Sequence, residues 1–298
     1  MRADAFRNTF LQHLAVLRND PGAYGELSVR SILELRQQCL REFHFTDIYA
    51  STKHAENGVA LAALPARLQA LDALAPAQRP RAVLEGLLAG NCFDWGAQAA
   101  AQRLDNNEIN FEEELERVRA GGWLVDDSQA FAERLTAQPF KHVIIFVDNA
   151  GADVVLGVLP FARLLLERGA TVVLAANTYP VLNDITAPEL RLVLEHAAQL
   201  DARLRDACAS QQLRVLESGS GSPCIDLSRL DKRLVEASRN ADLVVLEGMG
   251  RAIHSNYEAA FACDALKTAM IKNAWLAQKL GGDIYDVVCR FDQRGGRP

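Results

Sequence analysis

No stretch of this 298-residue chain is apolar for long enough to cross a bilayer. Its first residues, Met1-Arg-Ala-Asp-Ala-Phe-Arg-Asn8, lack the apolar core of a secretory signal. Both absences lead to the expectation of a cytoplasmic protein with no membrane partner. Paired cysteines are missing as well. Cys39, Cys92, Cys208, Cys224, Cys263 and Cys289 stand singly, with no Cys-x-x-Cys among them. Scattered thiols of this kind read as reduced core residues. The six histidines are equally dispersed, which removes the usual zinc ligand sets. There is no excess of positive charge: 32 Lys and Arg face 38 Asp and Glu, for a net charge of −6. Nucleic acid is therefore not an expected partner. Gly-x-Ser-x-Gly, P-loop and His-x-x-Glu-His elements are absent, and with them the serine-hydrolase, P-loop and zincin readings.

What is present is an ordinary globular balance, 49% hydrophobic and 23% charged. The chain changes rhythm near residue 139. Residues 1–138 read as a helical region, with stripes at Phe10, Leu11, Leu14 and Leu17, at Ile32, Leu33, Cys39 and Leu40, and at Leu61, Leu64, Leu68 and Leu71. No alternating strand pattern is evident there. Residues 139–298 read as an α/β domain. Strands are expected at His142–Val147, Thr171–Ala176, Leu213–Glu217, Asp242–Leu246 and Tyr285–Phe291. Helices are expected at Asp153–Arg168 (with Pro160 marking a kink or a late start), Pro188–Ala209, Leu227–Ser238 and largely over Asn256–Leu280. This alternation predicts a Rossmann-like parallel sheet with the helical region packed on it.

The chemistry gathers at strand exits. The β-branched run His142–Val147 leads into Asp148-Asn149, and the exit of the next strand carries Asn183-Asp184. In open α/β sheets, ligands sit at the carboxyl ends of strands. Two carboxylates and a carboxamide there make three hard oxygen donors, suited to Mn²⁺ or Mg²⁺, with Co²⁺ or Ni²⁺ as possible substitutes. Such ions partner phosphate oxygens, so metal-assisted phosphate chemistry is the first reading. The alternative is turn and cap chemistry, which uses the same Asx residues. Glu247-Gly-Met-Gly-Arg251 follows another strand. Its glycines permit close backbone approach, and Arg251 offers a fork for phosphate or simply a solvated cation. Lys272 lies in an apolar setting on an expected helix with Lys267, and needs either a phosphate or a structural carboxylate as partner. Asn91 and Asp94, in Leu87-Leu-Ala-Gly-Asn-Cys-Phe-Asp-Trp-Gly96, and Asn57 either close the pocket from the helical side or form a helix corner.

Several strings together resemble a known family. They are Phe146-Val-Asp-Asn-Ala-Gly-Ala-Asp153, Val172-Val-Leu-Ala-Ala-Asn177 with Asn183-Asp-Ile-Thr186, Glu247-Gly-Met-Gly-Arg251 and Leu266-Lys-Thr-Ala-Met-Ile-Lys-Asn273. In the amino half they are Cys39-Leu-Arg-Glu-Phe43, Lys53-His-Ala-Glu-Asn57 and Ala89-Gly-Asn-Cys-Phe-Asp-Trp-Gly-Ala97. The chain is similar, over nearly its whole length, to the metal-dependent damage-control phosphatases, formerly domain of unknown function 89. The Glu-Gly-Met-Gly-Arg string resembles the mark of one subgroup. The resemblance implies a divalent metal on Asp148, Asn149 and Asp184, a phosphate contact from Lys272, and catalytic roles for Asp148, Glu247 and Arg251. It implies phosphomonoester hydrolysis, with 4′-phosphopantetheine and its oxidised or sulfonated forms as substrates of the subgroup. Asn57, Asn91, Asp94 and Asn256 are the expected substrate-binding residues. A sugar-phosphate phosphatase of the same family is the nearest rival; a non-catalytic sensor of coenzyme A precursors is the rival from another class. Oligomeric state stays open.

Overall fold

The computed structural model describes residues 1–106 and 109–294. Seven strands form one sheet: β1 Trp123–Asp126, β2 His142–Phe146, β3 Thr171–Ala176, β4 Leu213–Glu217, β5 Leu243–Glu247, β6 Asp264–Met270 and β7 Val287–Asp292. Their spatial order is β1-β7-β6-β5-β2-β3-β4. All neighbours run parallel except β6 and β7. The central strands are buried on both faces, which is why they read as unbroken apolar runs.

Among the described residues, six helices precede β1: α1 Arg2–Asn19, α2 Val29–Glu42, α3 Ala50–Asp72, α4 Arg79–Gly90, α5 Gln98–Asp105 and α6 Phe111–Ala120. Later come α7 Ser128–Ala137, α8 Leu159–Glu167, α9 Ala187–Leu200, α10 Ala202–Ala209, α11 Lys232–Ser238 and α12 Ala274–Leu280. The helices clothe both faces of the sheet, and a large core cluster joins α3 and α4 of the amino half to β2, β3 and α8. Among the described residues, no helix is long and apolar enough to cross a membrane.

The fold class expected from the sequence is the one observed, with four local corrections. First, β1 lies before residue 139 and pairs with β7 as an edge of the sheet. Its four residues are too few to display alternation. Second, most of 256–280 is not helical. β6 occupies Asp264–Met270, so Lys267 lies on a strand and Lys272 just beyond its end. Alanine-rich sequence with a lysine imitates a helix; here the Lys267 ammonium is held by the Tyr257 and Ala259 carbonyls and by Asp292, which makes a buried strand position tolerable. Third, the helix expected over 188–209 breaks at Asp201, whose side chain caps α10 by accepting from Leu204 N. Fourth, 227–238 divides into a short 3₁₀ turn at Leu227–Arg229 and α11. Pro160 does mark a late start: a π-helical turn over Asp153–Val158 precedes α8, where the proline sits in the first turn.

Candidate active site

Strand order decides where the site lies. From β2 the chain crosses to β3 and β4 on one side, then returns to β5 and β6 on the other. The direction reverses between β2 and β5, and a doubly wound sheet opens a crevice at such a point, beyond its carboxyl ends. Asp148 follows β2, Asn177 and Asp184 follow β3, Glu247 ends β5, and Lys272 follows β6. Four strands thus deliver their exits to one place.

The expected metal ligands do converge there. Asn149 and Asp184 face each other as an isolated antiparallel bridge, and Ile185 N donates to Asp148 O at 3.0 Å. Asp148, Asn149, Asp184, Asp94 and Lys272 line one cavity of about 770 Å³. Behind them lies a second rank, fully buried. Asp148, Asp153 and Glu247 place carboxylate oxygens within 4.8 Å of one another. Glu247 accepts from Asp148 N at 2.7 Å and from Asn91 Nδ2 at 2.7 Å. Asp153 accepts from Asn149 Nδ2 at 2.7 Å and from Asn91 Nδ2 at 3.1 Å. Its other oxygen, Oδ1, is buried without a hydrogen-bond partner.

Asn91 is the hub. Its amide also donates to Asp148 Oδ2 at 3.2 Å, while its Oδ1 accepts from Met270 N and from Lys272 Nζ, both at 3.1 Å. Lys272 completes its shell with the Asn91 carbonyl and with Asp94 Oδ2 at 2.9 Å. The structural carboxylate considered from the sequence is therefore Asp94, and Lys272 meets it on the cavity wall.

The geometry explains Glu247-Gly-Met-Gly-Arg251 position by position. Gly248 has φ +95, and a Cβ there would lie 2.1 Å from Asp148 Oδ2. A Cβ on Gly250 would lie 2.3 Å from the Pro223 carbonyl oxygen. Both glycines make room for the packing that brings Arg251 inward. Its guanidinium does not face the cavity. It is 1% exposed and bridges Asp148 Oδ1 and Asp184 Oδ2, the latter at 2.7 Å, while also donating to Asn177 Oδ1 at 3.2 Å.

Electrostatics follow from this crowding. Asp94, Asp148, Asp153, Asp184 and Glu247 crowd around the two cations Lys272 and Arg251. Burial, reinforced by Asp148, pushes Asp153 up to about 7. Burial also lifts Asp184 to about 7 against the pull of Arg251. Burial, with Asp153 and Asp148 beside it, raises Glu247 well above the usual carboxylate range, and burial raises Asp148. Lys272 is raised: burial opposes its charge, but Asp94 and Asp148 outweigh burial. An excess of buried carboxylates over cations is what a divalent cation would neutralise. The donor set fits. Asn149 turns its amide nitrogen onto Asp148 and Asp153, leaving its carbonyl oxygen as a donor for an ion.

The expected substrate-binding residues divide. Asp94 lines the cavity. Asn57 instead accepts from Gly151 N at 2.7 Å, fixing the turn after Asn149. Asn91 acts from behind, as described. Asn256 ties its own turn, donating to the carbonyls of Ile225 and Arg251 at 3.1 and 3.0 Å. Two residues not singled out from the sequence belong to the site: Asp153 and Asn177. Asp153 carried a usable signal, a lone carboxylate opening an apolar helix four residues after Asn149. Lys53 is a third, more distant addition. Buried to 1%, it pairs with Asp47 and Glu189 at 2.8 Å and reaches the Asp184 carbonyl at 3.4 Å.

A doubly wound sheet with acidic, amide and ammonium groups at its switch point marks a crevice for a small polar ligand. Comparison with known sequences narrows this. Residues 2–288 match the damage-control phosphatase ARMT1-like domain, and the chain belongs to that family. It is 46% identical to pantothenate kinase 2 of Arabidopsis thaliana, across 98% of this chain and 36% of that one. It is 40% identical to a 4′-phosphopantetheine phosphatase of Mus musculus, across 98% of this chain and 42% of that one. It is 39% identical to a damage-control phosphatase of Arabidopsis thaliana, of which it covers 80%. The chain thus spans less than half the length of the first two relatives. Among solved structures, a DUF89 family protein from Pyrococcus horikoshii superposes with a TM-score of 0.70 at 16% identity, over 97% of this chain and 90% of that one. That likeness concerns the fold.

Proposed function

We propose that this protein is a metal-dependent phosphomonoesterase whose substrate is 4′-phosphopantetheine, including its oxidised or sulfonated forms. The observation that carries the reading is a single cavity lined by Asp148, Asn149, Asp184 and Lys272. The name of the mouse relative supports the substrate. Asp148, Asn149 and Asp184 would hold the ion, because an ion that meets a phosphate must sit on donors facing the cavity. When bound, a divalent metal supplies Lewis-acid polarisation of the phosphoryl group. Mn²⁺ or Mg²⁺ suits these oxygen donors best, and Co²⁺ or Ni²⁺ would substitute.

The protein's own groups do the rest. Lys272, with its three N–H groups engaged by Asn91 and Asp94, supplies fixed positive charge beside the phosphoryl group and stabilises the charge that develops as the ester bond breaks. Asp94 and Asn91 keep the ammonium of Lys272 at that place. Asp153 and Glu247 orient Asn149 and the Asp148 backbone from behind. Arg251 gathers Asp148 and Asp184 into one position despite their repulsion.

The test is phosphate release from phosphopantetheine, its sulfonate, fructose phosphates and glucose phosphates, with and without Mn²⁺. Metal-dependent release with the highest kcat/KM on a phosphopantetheine form is expected. Preference for sugar phosphates would assign the protein to the sugar-phosphate branch. No release from any ester would favour a binding role.

A further inference from the structure

The cavity is much larger than a phosphate group needs, and most of the side chains that line it are uncharged. Apart from Asp94, Asp148, Asp184 and Lys272, its lining carries two titratable side chains, His254, whose pKa burial lowers, and Cys224, whose thiol burial pushes up to about 12, so both are uncharged at neutral pH. The remaining wall holds amides and apolar groups. At about 770 Å³ it matches the range of sites that enclose a drug-sized molecule.

Several apolar side chains on this wall are unusually bare. Trp275 is 61% exposed, Val29 41% and Ile284 38%. Each comes from a different element: α12, α2 and the loop before β7. Leu182 joins them from the loop after β3, with φ +47, a conformation that costs a leucine energy. Its side chain fills the space a Cβ on Gly96 would need, 2.6 Å away. The α2 wall is pinned to the sheet domain by Gln37 Nε2 donating to Pro180 O at 2.8 Å and by the Arg30–Asp226 pair at 2.6 Å. Exposed apolar groups scattered singly need no explanation, but here they gather around the cavity that Asp148, Asp184 and Lys272 line.

We infer that Trp275, Ile284, Val29 and Leu182 form a specificity wall for the non-phosphate body of the substrate, which is an extended, uncharged chain of aliphatic and amide groups rather than a polyhydroxylated ring. Gln98 and Gln102 on the same wall supply amide hydrogen bonds. A sugar would leave its hydroxyls facing apolar carbon and lose its water partners there. An amide-linked aliphatic arm meets both kinds of lining. This inference rests on the phosphatase reading above and assigns its substrate selectivity to named side chains.

Pantetheine, the body without the phosphate, isolates the wall from the phosphate end. The Mn²⁺-loaded enzyme is assayed for phosphate release from methyl phosphate, a small ester, with increasing pantetheine. Pantetheine is expected to inhibit competitively. Trp275→Ala and Val29→Asp are each expected to raise its inhibition constant on the order of tenfold or more, the scale set by removing an apolar contact in a pocket. Both should leave kcat/KM for methyl phosphate within about twofold. Both positions are exposed, so melting temperatures should match the wild type. Inhibition constants unchanged in both variants, or absence of inhibition in an enzyme that turns over methyl phosphate, would overturn the wall. Failure of the wild type to release phosphate from any ester would instead overturn the phosphatase reading, while pantetheine binding followed by Trp275 fluorescence would still report on the wall.

Discussion

The two ranks of carboxylates at the switch point are built from the same residue types and have opposite surroundings. In front, Asp148 and Asp184 face the cavity and share the guanidinium of Arg251. Behind, Asp153 and Glu247 see no cation at hydrogen-bonding distance among the described residues; side-chain amides and two backbone N–H groups are their partners. The difference teaches that burial alone does not identify a ligand. The front rank has access to substrate and a built-in counter-charge. The back rank has neither, and its hydrogen bonds aim the front-rank groups.

Removing a front-rank ligand should therefore have the largest effect. Asp148→Ala is expected to lower turnover by at least about a thousandfold, since several kcal/mol of charge stabilisation goes with the ion. Phosphate-release kinetics check this, with circular dichroism confirming the fold. Lys272→Met comes next. A loss of about 10²–10³ in kcat is expected, with metal affinity retained. Because Lys272 is fully buried against Asp94 and Asn91, a drop in stability of about 3–5 kcal/mol should accompany it in urea unfolding. Asp153→Asn should be milder. Groups that orient a ligand weaken metal affinity about 10–100-fold when altered, and this change also removes an uncompensated buried charge, so metal-free stability should hold or rise. Thermal melts with and without Mn²⁺ separate the two effects.

The smallest expected effect is a pH trend. Asp153 and Asp184 sit near 7 in the folded protein against 3.8 as the ordinary value. Groups raised in this way contribute stability that is full below about 4 and lost as pH rises through 7. The metal-free protein should lose melting temperature from pH 5 to 8, and added Mn²⁺ should stabilise more at pH 8 than at pH 5. A metal-induced shift independent of pH would count against buried, proton-holding carboxylates.

Much of this site was legible in the sequence because strand exits announce themselves. Asp148, Asn149, Asp184 and Glu247 each follow a β-branched run, and the sheet brings such ends together. The apolar setting of Lys272 marks it in the sequence, but Ala265-Leu-Lys-Thr-Ala-Met270 has helical composition, and only the three-dimensional partners of Lys267 make it a strand. Arg251 was visible as a cation but not as the counter-ion of two aspartates separated from it by 103 and 67 residues. Asn57 and Asn91 were visible as polar residues in apolar helices. That their side chains meet Gly151, Asp153 and Glu247 depends on distances no spacing encodes. Whether residues 1–138 and 139–298 behave as separate units is a matter for limited proteolysis; the shared core between α4 and the β2 layer favours joint unfolding.

The most direct measurement is a calorimetric titration of Mn²⁺ into the wild type, Asp184→Asn and Asp153→Asn. The expected result is loss of measurable binding in Asp184→Asn and weakened but saturable binding in Asp153→Asn. The reverse order, with Asp153→Asn silent and Asp184→Asn near the wild type, would place the ion in the buried rank with Asp148, Asp153 and Glu247 and contradict the assignment of the metal to the cavity face.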